Sequence, residues 1–225
     1  MNLALARLLQ LASPTLPVGA YTYSQGLEWA VECGDITDEA GALRWIGDQL
    51  EWNLGRFEAP LLSRLIEAWG AGDDAAIAAL DARYCASRES VELRAETLQM
   101  GHSLRRLIAD LPDMPASFVA RLDAMGAASY PTVWAGLVDA WRIEPCAALL
   151  AWLWSWAENQ TLAALKTVPL GQAAGQRILL AIGARLPACV DVAHRLIDDE
   201  WSNFAPGFAI ACARHETQYS RLFRS

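Results

Sequence analysis

Apolar residues recur at helical spacing through almost the whole chain, and proline and glycine cut that pattern into short lengths. Leu43, Ile46, Leu50 and Leu54 form one such stripe, with Thr37 or Asp38 ahead of it as a cap. Further stripes are predicted from Phe57 to Trp69, from Ser90 to Ile108, and from Glu144-Pro145 to Leu165. Thr132 is expected to cap the segment ending at Trp141, Ser24 a short helix ending near Gly34, and Pro187 to stop a helix begun at Gly171. No stretch of about four to eight residues alternates with period two among β-branched residues, as a half-buried strand would. The reading is an all-α, single-domain bundle of about ten helices with short connections.

The 225 residues carry a net charge of −8, with 54% hydrophobic residues and ten tryptophans. That supports one sizeable core, and no Ser/Gly/Pro-rich linker divides it. The acidic balance argues against binding nucleic acid, which needs clustered lysine and arginine. Five scattered cysteines (Cys33, Cys85, Cys146, Cys189 and Cys212) form no CxxC pair and read as free thiols of a reducing compartment. The most apolar run, from Cys146 to Ala157, is too short to span a bilayer. A cytoplasmic protein without a membrane segment is expected.

Enzyme signatures are missing: the sequence has no GxGxxG, phosphate-binding loop, GxSxG elbow or HExxH. His102, His194 and His215 are far apart, so no metal site is expected; Cys212 with His215 would supply only two ligands. No catalytic residue and no cofactor is called.

Two stretches stand out instead. Lys166, the only lysine beside seventeen arginines, precedes a bend at Pro169. After it, Gln172 and Gln176 fall on one helical face at i, i+4. A lysine in the last turn of a helix also simply suits the negative dipole end. The C-terminus, ARHETQYSRLFRS, brings Arg214, Arg221 and Arg224 together with Tyr219, Leu222 and Phe223 on an acidic chain. Arginine plus aromatic residues is the composition of interface anchors. Docking on the chain's own fold is the other reading.

Three segments together resemble the urease accessory protein UreF family: SPTLPVGAYTYSQGLEW, LKTVPLGQAAGQRIL and FAPGFAIACARHETQYSRLFRS. Their order, spacing and the total length match as well, so the resemblance covers essentially residues 1–225. It implies a non-catalytic, all-α and usually dimeric factor for urease maturation and nickel insertion. Such a factor bridges UreD/UreH and the GTPase UreG on apo-urease and affects GTP hydrolysis by UreG. Lys166, Gln172 and Gln176 are then expected to face UreG. The tail, residues 214–225, is expected to face UreD/UreH through Arg214, His215, Glu216, Gln218, Tyr219, Arg221, Leu222, Phe223 and Arg224. Tyr21, Tyr23 and Gln25 are candidates for an interface. Two other readings stay open: a generic helical interaction domain, and a GTPase-activating or metal-binding component in its own right.

Overall fold

The computed structural model describes residues 3–225. Twelve α-helices and no strand are present among them. In chain order these are α1 (Leu3–Ala12), α2 (Leu27–Glu32), α3 (Glu39–Asp48), α4 (Ala59–Ala71), α5 (Asp74–Ala86) and α6 (Val91–Asp110). There follow α7 (Ala116–Ala124), α8 (Tyr130–Ala140), α9 (Pro145–Thr167), α10 (Gln172–Gly183), α11 (Leu186–Arg195) and α12 (Pro206–His215). The all-α expectation holds.

The helix starts follow local chemistry. Asp38 accepts from the Gly41 amide at 2.7 Å, Asp73 from Ala76 at 2.9 Å, and Ser90 from Leu93 at 3.1 Å. Glu144 accepts from the Cys146 and Ala147 amides and opens α9, with Pro145 in the first turn.

Four details differ from the sequence reading. Gln49–Glu58, a π-helical segment, joins α3 to α4 without a break. Thr132 lies inside α8, which Ser129 precedes, and its hydroxyl donates to Asp81 at 2.6 Å. Pro187 sits in the first turn of α11, where a missing N–H costs nothing, instead of closing α10. Gly26 takes the N-cap position of α2, although Ser24 Oγ still accepts from the Glu28 amide at 3.3 Å.

The 23-residue α9 is the hub. Helices α1, α2, α3, α4, α10 and α11 all pack on it, while α8 lies between α4 and α6. Trp152 of α9 stacks on Tyr130 at 5.1 Å and meets Trp134 edge-on at 5.3 Å. Trp69 donates to the Thr132 carbonyl at 3.0 Å, so its buried N–H is satisfied. Among the described residues, no helix is long and apolar enough to cross a membrane.

Candidate functional site

The loop before α2 runs through two left-handed residues, Gln25 (φ 51°) and Gly26 (φ 76°). Gly26 is required there. A Cβ would stand 3.0 Å from the Ala211 Cβ and the Cys212 amide of α12, in a backbone region that side chains disfavour. This turn aims the Ser24 and Gln25 amides at one point. Both donate to the Ser225 carbonyl, at 2.7 and 3.0 Å, and the Ser24 hydroxyl joins them at 2.6 Å.

The last residues of the chain therefore lie in a cradle built by the first signature segment. The Arg224 amide donates to the Thr22 carbonyl at 2.8 Å. Glu28, almost buried at the start of α2, accepts from the Leu222 amide at 2.6 Å and the Phe223 amide at 3.0 Å. Two further glutamates on α6 complete it. Glu96 accepts from the Ser225 hydroxyl at 2.8 Å, and Glu92 pairs with Arg221 at 2.5 Å. Glu216, just after α12, accepts from the Val91 amide at 2.7 Å and so satisfies the N-terminal end of α6.

His215 pins the base of the tail. It is 0% exposed, with Nδ1 2.7 Å from Glu92 and Nε2 3.3 Å from Glu28. Cys212, its expected companion, has its Sγ packed toward Gly26, and burial pushes its thiol well up. Among the described residues, no group of three or more His, Cys, Asp or Glu side chains is placed to hold a metal ion.

Glu96 differs from its neighbours. Burial pushes its carboxyl up to about 7, against hydrogen bonds from Gln25 and Ser225 that favour the charged form. Gln25 is itself fixed on both sides, donating to Glu96 at 2.6 Å and accepting from the Trp156 indole at 2.7 Å.

These contacts locate the residues expected at interfaces. His215 and Phe223, expected on a partner-facing tail, are buried in their own chain, Phe223 to 6% exposure. Tyr23 is buried and Gln25 is half-buried and internally bonded, whereas Tyr21 is 58% exposed. Arg214, Glu216, Tyr219, Arg221, Leu222 and Arg224 remain exposed, with Gln218 intermediate. Lys166, Gln172 and Gln176 are all exposed at the α9–α10 bend. Gly175 lets that bend close, since a Cβ there would meet Leu165 at 2.7 Å. The Lys166 Nζ lies 5.4 Å from the Phe223 ring centroid, so the bend and the tail touch.

The sequence reading missed Glu28, Glu92 and Glu96 as the receptor of the tail. One signal was available: Glu96 interrupts the apolar stripe Leu93, Met100 and Leu104 of α6, a charged residue on a buried face.

The three signature segments thus form one unit, and the comparisons agree with the resemblance that marked them. The UreF family model matches residues 36–183. The urease accessory protein UreF of Dechloromonas aromatica (strain RCB) is 62% identical over 224 residues, covering 99% of this chain and 98% of that protein. This chain belongs to the UreF family. The UreF of Azoarcus sp. (strain BH72) is 61% identical over 225 residues, covering 99% of this chain and 96% of that protein. The bifunctional urease accessory protein UreEF of Bordetella bronchiseptica is 49% identical over 98% of this chain, which spans 52% of that protein. The family model stops short of the first and last signature segments; the full-length UreF relatives run through both.

Proposed function

We propose that the chain is a non-catalytic urease maturation factor that bridges UreD/UreH and the GTPase UreG on apo-urease, as a homodimer in the cytoplasm, so that nickel can be inserted. The observation that carries this reading is the contact between Lys166 and Phe223, because it puts the two expected partner surfaces side by side. Exposed Leu162 lies one turn before Lys166, and exposed Leu222 and Arg224 flank Phe223 in the tail. A cationic, apolar surface on a chain of net charge −8 suits an acidic partner face. The fused UreEF relative supports a role within a multi-component assembly. UreG recruitment is assigned to Lys166, Gln172 and Gln176, which also places the bend to affect GTP hydrolysis by UreG. Capture of UreD/UreH is assigned to the exposed tail side chains.

The test is a pulldown at fixed salt with preassembled complexes. Lys166→Ala is expected to fold, to retain UreD/UreH and to lower UreG affinity about thirtyfold, the effect of losing roughly 2 kcal/mol at an interface centre. Tyr219→Ala with Leu222→Asp is expected to lose UreD/UreH. Unchanged recruitment by Lys166→Ala and by Gln172→Ala would leave the bend a helix terminus only.

A further inference from the structure

Beside the tail cradle, and sharing Glu96 and Gln25 with it, lies a cavity of about 90 Å³. The loop Ser13–Ala20 and Tyr21 close one side, and α6, α8 and α9 close the others. Its floor is polar and buried. Arg88 donates to Glu58 at 2.7 Å, with both side chains under 10% exposed, and the guanidinium lies 4.3 Å over the Tyr84 ring. Tyr130, stacked on Trp152, and Trp156 supply aromatic walls, and half-buried Glu158 stands at the rim.

The charges in this space do not balance. Three carboxyl groups (Glu58, Glu96 and Glu158) face it, and among the described residues the one cation lining it, Arg88, is already paired with Glu58. Glu96 has only neutral donors, the Gln25 amide and the Ser225 hydroxyl. Burial raises the carboxyls of Glu96 and Glu158, and on Glu96 the two hydrogen bonds and nearby Arg88 offset only part of that rise. Aromatic faces beside surplus carboxyls are the complement of an organic cation. The same wall already holds one guanidinium between a carboxylate and a tyrosine ring, in Arg88. The volume is large enough to admit the head of a side chain.

We propose that this cavity is a receptor for the cationic head of an arginine or lysine side chain presented by a partner protein. Entry past Tyr21 and Glu158 gives the exposed tyrosine of the first signature segment a part in that contact. The guest would sit against Glu96, which also bonds the Ser225 hydroxyl. Occupancy and tail docking therefore meet at one carboxyl group.

The experiment uses the full chain at constant ionic strength, with n-propylguanidinium, n-propylammonium and neutral N-propylurea as probes. The indole N–H resonances of Trp152 and Trp156 report the cavity, and exposed Trp52, on a different cleft, is the reference. Saturable shifts of Trp152 and Trp156 with both cations, without a shift of Trp52 and without saturation by the urea, are expected. Glu96→Gln preserves the shape of the group and is expected to raise the cation midpoint about thirtyfold or more, the scale of losing one buried charge partner. Glu158→Gln at the rim is expected to raise it by a smaller factor. The proposal is overturned if the urea saturates at the same midpoint, if the cation shifts stay linear, or if neither variant moves the midpoint.

Discussion

At the scale of single residues, the tail cradle is a set of carboxylates with different tasks. Glu28 and Glu92 hold backbone amides, an imidazole and a guanidinium, whereas Glu96 sits among neutral donors. A carboxyl raised to about 7 in the fold, against an ordinary value of 4.5, binds a proton that the unfolded chain has already released. Its stabilising contribution is complete below the ordinary value and is lost as pH rises through about 7. Chemical denaturation should therefore show wild-type stability falling between about pH 4.5 and pH 7, by on the order of 3 kcal/mol from this group. Glu96→Gln keeps a neutral hydrogen-bonding group there and should remove that part of the decline. A variant that declines as steeply as wild type would rule out Glu96 as the source. Gly26→Ala is expected to cost more than the usual helix-capping change, because it adds strain at positive φ to a clash with α12. Its readout is the denaturation midpoint.

At the scale of elements, the helices were legible because each carries its own apolar stripe and its own punctuation. Asp38, Asp73, Ser90 and Pro206 act at the places their chemistry indicates. Pro187 was misjudged because proline closes one helix or opens the next, and the sequence alone does not distinguish them. The π segment was not legible: an apolar stripe at 3.6-residue spacing reads the same whether or not tertiary packing widens a turn, here where Gly55 faces Cys189. The tail belongs to this scale too. Removing Leu222–Ser225 takes two amides from buried Glu28 and the ring of Phe223 from its site. The expected loss is about 2–4 kcal/mol, seen as a lowered denaturation midpoint with the helical signal retained. An unchanged midpoint would mean that these residues hold nothing in place.

At the scale of the whole molecule, the sequence marks the segments that matter and hides that they meet. Ser24 and Ser225 are 201 residues apart in the chain and share a hydrogen bond of 2.6 Å. The arginine and aromatic content of the tail pointed outward, and Tyr219, Leu222 and Arg224 do lie at the surface. Phe223 and Ser225 point inward between exposed Leu222 and Arg224, because alternate residues of an extended segment face opposite sides, and His215 is buried at the end of α12. The cradle binds backbone amides, which composition does not reveal. Joined to α9 by the Lys166–Phe223 contact, the docked tail makes one continuous surface from what look like two distant motifs. This docking is a property of the isolated chain, before any partner is bound. Amide hydrogen exchange at Leu222 and Phe223 tests it most directly. Docking predicts that both amides, bonded to buried Glu28, exchange far more slowly than Ser220 and Arg221 and lose that protection in Glu28→Ala. Exchange of both at the rate of an unstructured peptide in the wild-type chain would contradict it.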